Sequence, residues 1–177
     1  MGLKWAKKFA TKISSFTNPR GGKCHTGFYT VSAHVPMGNN VGATPDGRLA
    51  KSPLADGGLS AVYGRDLNGP TALLHSVSRI DSMLGSNGTL LNMKFLPSFF
   101  GTKNDIRKFS FFLKGLIKLK IGHVQFNVVN KEELLKAQKE PEKYRNLTIR
   151  VAGYTAYFTE LAEDLQNEII ERTEHGV

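Results

Sequence analysis

Few residues of this chain are of types and spacings that could do chemistry: a single cysteine, five histidines, and a glycine, Gly153, set between Arg150-Val151-Ala152 and Tyr154. Removing a hydrogen atom from a glycine α-carbon leaves a radical delocalised over both neighbouring amides. That state needs a flattened backbone which a Cβ would crowd, and glycine alone reaches it without steric cost. The same freedom makes glycine the ordinary residue of a tight turn, so Gly153 in isolation fits either role. Cys24 stands between Lys23 and His25, which invites a nucleophile, but adjacent side chains on an extended chain point apart. A lone cysteine also excludes an internal disulfide and any paired-cysteine metal site. His25, His34, His75, His123 and His175 lack metal-ligand spacing. No metal is expected, and no P-loop, dinucleotide fingerprint or nucleophile elbow occurs.

The elements that would position Gly153 follow from periodicity. Leu147 to Val151 reads as a short strand leading into the glycine loop. After it, Phe158, Leu161, Leu165 and Ile169 share one face of a terminal helix, with Glu160, Glu163 and Asp164 in its first turns, where the helix dipole favours acids. Upstream, Val124 to Val129 reads as a strand, and Asn130 with Glu133 caps the helix that carries Leu134, Leu135 and Ala137. Pro141 starts a short turn. Ile106, Phe109, Phe112, Leu113, Leu116 and Ile117 recur at helical spacing as a core face. Pro70 opens another helix, with Leu73, Leu74, Val77 and Ile80 inward. Residues 38–68, rich in Gly, Pro and Asp, predict an ordered irregular loop with turns at Pro45-Asp46-Gly47 and Asp56-Gly57-Gly58. Residues 27–35, β-branched and aromatic and stopped by Pro36, predict a strand. The element order suits an α/β or α+β fold, with no internal repeat.

Six basic residues, Lys4, Lys7, Lys8, Lys12, Arg20 and Lys23, precede the first acid and carry most of the net charge of +9. Trp5, Phe9, Ile13 and Phe16 recur at spacings of four, four and three, so residues 3–17 form a helix with an apolar stripe. Three roles are open to it: lying on an anionic membrane or nucleic acid, packing on the protein itself, or docking on a separate polypeptide. The chain divides on this reading into a docking helix, 1–17, and a body, 18–177. With no long apolar run, no secretory leader pattern and Ala6 in place of a myristoylation Ser or Thr, a cytoplasmic protein is expected, in which the sequons at Asn87 and Asn146 are accidental.

From Asn18 to His175 the sequence resembles the C-terminal portion of the glycyl radical enzymes. The resemblance rests on separated blocks in the right order: Asn18-Pro19-Arg20-Gly21-Gly22, Thr44-Pro45-Asp46-Gly47-Arg48 with Pro53, Gly64-Arg65-Asp66, Asn68-Gly69-Pro70-Thr71-Ala72 and Ser76-Val77-Ser78. They continue through Gly88-Thr89-Leu90-Leu91-Asn92, His123-Val124-Gln125-Phe126-Asn127-Val128-Val129, Pro141-Glu142-Lys143-Tyr144, Arg150 to Tyr154, and Ile169 to Glu174. It implies the closing part of a ten-stranded β/α barrel, with the glycine loop as an inward finger that would be exposed if detached. It also implies that Gly153 bears a radical, that Arg150, Val151, Ala152 and Tyr154 are read by an activating enzyme, and that Tyr29, Ser32 and His34 lie near the substrate cavity.

The same resemblance implies no permanently bound cofactor. The radical would be installed by a radical S-adenosylmethionine activase with an iron–sulfur cluster and passed to a cysteine in a Gly-Cys-x-Glu motif. This chain has no such motif, and Cys24 does not match it. The expected partners are therefore the activase, a polypeptide carrying the rest of the barrel, and a small-molecule substrate, with no nucleic acid. Two roles follow: the radical-bearing subunit or fragment of a lyase or dehydratase, or an autonomous radical cofactor that restores an oxygen-damaged pyruvate formate-lyase-like enzyme. Ala152, where formate-lyases favour Ser, and the block from His123 favour the dehydratase and decarboxylase branch.

Overall fold

The computed structural model describes residues 2–176 as a mixed α/β fold organised on a three-stranded parallel sheet. Strand β1 (Asn92–Phe95) is central, flanked by β2 (Gln125–Val128) and by β5 (Glu174–His175), a strand absent from the sequence reading. The register sets Asn92 beside Gln125 and Lys94 beside Asn127, so the polar residues of both strands share one face. Met93, Phe95 and Phe126 take the other.

Helix α4 (Lys103–Lys118) links β1 to β2 and covers that apolar face. Its start is a capping box: the Thr102 hydroxyl accepts from Asp105 N–H, and the Asp105 carboxylate accepts from Thr102 N–H. Phe109 and Phe112, spaced to meet on one face, pack edge-on to a fully buried Phe95. Phe99, Phe100 and Phe126 complete an aromatic cluster around that ring.

On the polar side lie α5 (Lys131–Lys139), the hairpin β3 (Thr148–Arg150) to β4 (Thr155–Tyr157), and α6 (Glu163–Glu171). Asn130 caps α5 through Glu133 N–H at 2.7 Å, as its position predicts. A second core, with Leu134, Ile149, Val151, Phe158 and Ile169 at its centre, ties these elements together.

The terminal segment differs from expectation. Residues 155–157 pair as β4, Phe158–Glu160 form a 3-10 turn, and Leu161 and Ala162 are extended before α6 begins. Cross-strand pairing with 148–150 outcompetes the helical periodicity, yet Phe158, Leu165 and Ile169 still enter one core.

Residues 27–35 are not a strand. Only Phe28 pairs, in an isolated bridge to Thr89; Val31 then turns the chain at φ +55°, and α2 (His34–Asn39) starts at His34. Pro36 sits inside the first turn of α2, where its missing N–H costs nothing.

The loop 38–68 is irregular, with a turn at Thr44–Gly47 and close packing at Gly58, where a Cβ would strike the Phe28 backbone at 2.1 Å. The buried Arg48 pins it by donating to the Ser52 and Gly42 carbonyls at 2.5 Å. Helix α3 (Pro70–Val77) follows with Pro at its first position.

At the other end, α1 (Gly2–Ser14) lies against the 3-10 turn Ser82–Gly85. It does so through Ala10, with Ala6 and Ile13 half-buried, and not through the aromatic stripe. Trp5, Phe9 and Phe16 stay about half exposed.

Candidate functional site

Gly153 sits at the tip of the β3–β4 hairpin. Arg150 pairs with Thr155, Val151 N–H donates to the Tyr154 carbonyl at 3.0 Å, and Ala152 and Gly153 are left as the two central residues. Of these only Gly153 has positive φ, +88°, a backbone angle that favours glycine. A Cβ there would meet nothing nearer than Leu90 Cδ1 at 3.6 Å, so the backbone angle, not space, demands glycine. Val151 and Ala152 are buried, Gly153 is exposed, and Tyr154 is half-buried against the second core. The loop is thus anchored on one side and open at its α-carbon.

The anchor is the polar face of the parallel sheet. Gln125 Oε1 accepts from Gly153 N–H at 3.1 Å and from Arg150 Nε at 3.2 Å. Its amide nitrogen donates to Asn92 Oδ1 and, at 3.4 Å, to the Val151 carbonyl. Asn127 makes a two-way clamp on Arg150, donating to its carbonyl at 2.6 Å and accepting from its N–H at 2.9 Å. Asn92 Nδ2 donates to the Val151 carbonyl at 3.2 Å. Strand residues one pleat apart therefore hold each peptide from Arg150 to Gly153 in place of a neighbouring strand.

Behind the sheet face, Arg172 at the end of α6 donates to the Val151 carbonyl at 2.9 Å. Its guanidinium is held by Asp56 at 2.9 Å and by both oxygens of Glu168, all three side chains being nearly fully buried. Tyr63 donates to Glu168 at 2.7 Å. Burial alone would raise the Glu168 pKa, but the contacts from His34 and Arg172 outweigh it and hold the carboxyl down to about 2. Burial pushes Asp56 the other way, above its usual value, against the attraction of Arg172. Burial and the neighbouring Glu168 push the Tyr63 hydroxyl up, keeping it a donor.

The structure separates the three residues of 27–35. Tyr29 is half exposed and its hydroxyl accepts from Asn87 at 3.1 Å; Ser32 is half-buried in the turn before α2. His34 is fully buried, with Nε2 3.2 Å from Glu168 Oε2 at an angle too oblique for a good hydrogen bond. They line no common strand face, because there is no strand.

Gln125, Asn127, Asn92 and Arg172 were not singled out as site residues by sequence reasoning. The alternation in Gln125-Phe126-Asn127 and Asn92-Met93-Lys94-Phe95 was a legible signal of two strands with a polar face, whereas nothing marks Arg172 apart from an ordinary basic residue at a helix end. Among the described residues, no group of three or more His, Cys, Asp or Glu is placed to hold a metal ion. No helix among them is long and apolar enough to cross a membrane.

A family model described as "Glycine radical" matches residues 55–159, well over half of the chain. The isethionate sulfite-lyase of Nitratidesulfovibrio vulgaris is 42% identical over 179 residues, which cover 100% of this chain and 21% of that protein. The probable dehydratase YbiW of Escherichia coli (strain K12) is 41% identical over 174 residues, 94% of this chain and 21% of its own. Among solved structures, the glycerol-bound B12-independent glycerol dehydratase from Clostridium butyricum superposes with a TM-score of 0.94 at 46% identity, over 99% of this chain and 22% of that one. The chain belongs to the glycyl radical enzyme family, matching its C-terminal radical domain on the dehydratase and lyase side. It spans about a fifth of the length of these relatives.

Proposed function

We propose that this chain is the radical-storing C-terminal subunit or fragment of a glycyl radical lyase or dehydratase, with the radical on the α-carbon of Gly153. The observation that carries the reading is the hairpin tip. Its preceding residues are buried and hydrogen-bonded, and the glycine alone is open, at positive φ, with its N–H held by Gln125. An activase of the radical S-adenosylmethionine type would approach there and take one hydrogen atom. One Cα–H bond breaks homolytically, the hydrogen atom leaves on the activase's own radical, and the unpaired electron stays on Gly153. Arg150, Val151, Ala152 and Tyr154 are the residues the activase reads. In turnover, Gly153 recovers a hydrogen atom from the thiol of a cysteine in the rest of the barrel, leaving a thiyl radical that attacks substrate.

Relatives named for sulfite elimination, dehydration and decarboxylation all align along most of this chain. What they share over that length is the storage of the radical, and the choice of small-molecule substrate belongs mainly to residues outside it. Tyr29 and Ser32, toward the surface, are the candidate wall residues of the cavity, whereas His34 is fully buried beside Glu168 and does not face that cavity.

Anaerobic protein mixed with a cognate activase, S-adenosylmethionine and a reductant should give an electron paramagnetic resonance doublet, split by the remaining α-hydrogen of Gly153. Gly153→Ala should give none. The variant has room for its methyl group and should stay folded at a cost of roughly 1–2 kcal/mol for a left-handed alanine. An undiminished doublet in it would sink the assignment.

A further inference from the structure

We infer that Gln125 is a positioning residue for the radical: its side-chain oxygen fixes the Ala152–Gly153 peptide plane and thereby sets how far the unpaired electron spreads onto the Gly153 nitrogen. The inference rests on the assignment of the radical to Gly153 given above.

The orientation of the Gln125 amide is forced by its surroundings. The oxygen faces two donors, Gly153 N–H and Arg150 Nε; the nitrogen faces two acceptors, Asn92 Oδ1 and the Val151 carbonyl. Turning the amide over would set donor against donor and acceptor against acceptor. Gln125 is itself 8% exposed and fixed by the pairing of β2 with β1, including its own N–H bond to the Leu91 carbonyl at 2.9 Å. An exposed hairpin tip is thus tied, at one atom, to a buried and rigid part of the sheet.

That atom matters because of the torsion beside it. At φ +88° the bond from Cα to the Gly153 carbonyl carbon stands nearly perpendicular to the preceding amide plane, where overlap with the nitrogen lone pair is greatest. The two Cα–H bonds lie away from that position. When one hydrogen leaves, the three remaining substituents must turn toward the amide plane before the electron can spread onto nitrogen. The amide half of this torsion is held by Gln125, so the turn is taken by Cα and its exposed carbonyl side. An acceptor on the N–H also enriches the nitrogen in electron density and favours donation into the half-filled orbital. Sharing the same oxygen with the Arg150 guanidinium moderates that effect.

The test uses the whole chain and two substitutions, Gln125→Met, which keeps the length and removes the acceptor, and Gln125→Glu, which keeps an oxygen facing Gly153 and, protonated on the other oxygen, still donates toward Asn92 Oδ1 and the Val151 carbonyl. Before activation, the Gly153 amide of the native chain should exchange with deuterium roughly tenfold or more slowly than a free glycine amide, despite its exposure. Gln125→Met should lose that protection and Gln125→Glu keep it. After activation with glycine labelled by nitrogen-15, Gln125→Met should show a wider α-hydrogen doublet and a smaller nitrogen coupling than the native chain, with Gln125→Glu restoring both toward native values. Unprotected exchange at Gly153 in the native chain overturns the inference with no variant needed. So does a Gln125→Met radical with unchanged couplings. Absence of any doublet in the native chain is instead the failure of the radical assignment, and the exchange measurement still judges the contact.

Discussion

The Arg172 guanidinium donates to the Val151 carbonyl at 2.9 Å, two residues before Gly153, while Glu168 grips the same guanidinium from α6 with both carboxylate oxygens. The Gly153 loop is thereby joined to a buried charge cluster whose ionisation has a definite sign. The Glu168 pKa is held at about 2 in the folded chain, against an ordinary 4.5. A depressed carboxyl contributes stability that is fully present above the unfolded value and is lost as pH falls through the folded one. Glu168→Gln should therefore be less stable than the native chain at neutral pH, by on the order of 3 kcal/mol. The gap should hold down to about pH 4.5 and close toward pH 2, as read from denaturant midpoints. Asp56, shifted upward by burial, takes its proton earlier and does not produce this loss. A gap independent of pH would show that Glu168 is not an ionised anchor.

Oxygen attacks a carbon radical directly, so air exposure of activated protein should cut the backbone at Gly153 and leave a large fragment ending near Ala152. Unactivated protein should stay whole. Mass spectrometry that finds equal cleavage in both would mean ordinary proteolysis of an exposed tip.

Helix α1 presents Trp5 and Phe9, and the segment just after it Phe16, exposed to solvent, with Lys8 and Lys12 lying over the Trp5 and Phe16 rings. A polypeptide carrying the rest of the barrel should bind here by apolar burial, and the isolated chain should self-associate. Trp5→Ser with Phe9→Ser should weaken that binding by several kcal/mol, at roughly 1.5–3 kcal/mol per large side chain. Replacing Lys7 and Lys8 should cost much less, and chiefly at low salt. Titration calorimetry of the two variant pairs decides the matter. Loss of binding with the lysine changes alone would make the helix an electrostatic arm for an anionic surface.

Phe95 fills the centre of the aromatic cluster on the apolar face of the sheet that carries Asn92 and Gln125 on its other face. Phe95→Ala should cost about 3–5 kcal/mol in chemical denaturation. A cost below about 1 kcal/mol would mean that the cluster collapses to refill the space and is not the support of the sheet.

The chain's own residue pattern determined the elements whose stabilisation is local. Pro70 at a first helical position, Asn130 before its helix, the helix over 106–117 and the turn at Pro45-Asp46-Gly47 all form where their chemistry predicts, but only Phe109, Phe112 and Leu116 of that helix turn inward, and Ile106, Leu113 and Ile117, read as core, are exposed. Gly153 as the tip of its loop was legible too, because one backbone angle excludes every other residue at low cost.

Tertiary structure alone decided the rest. In strand β1 the alternation of Asn92 and Lys94 with Met93 and Phe95 is visible in sequence, but that the polar side is buried was decided by what lies opposite it: the Val151, Asp56 and α6 carbonyls and the Glu174 carboxylate. Residues 155–157 became a strand, and 27–35 did not, because a strand forms only where a partner runs beside it for several residues. Tyr157 finds Thr148 across a tight hairpin, while Phe28 finds only Thr89 before Val31 turns the chain away. The cradle around Gly153 is the same lesson at one atom. Glutamine at 125 is an unremarkable surface-type residue in sequence, and it becomes the acceptor for the Gly153 N–H only when β1 and β2 lie side by side beneath the hairpin.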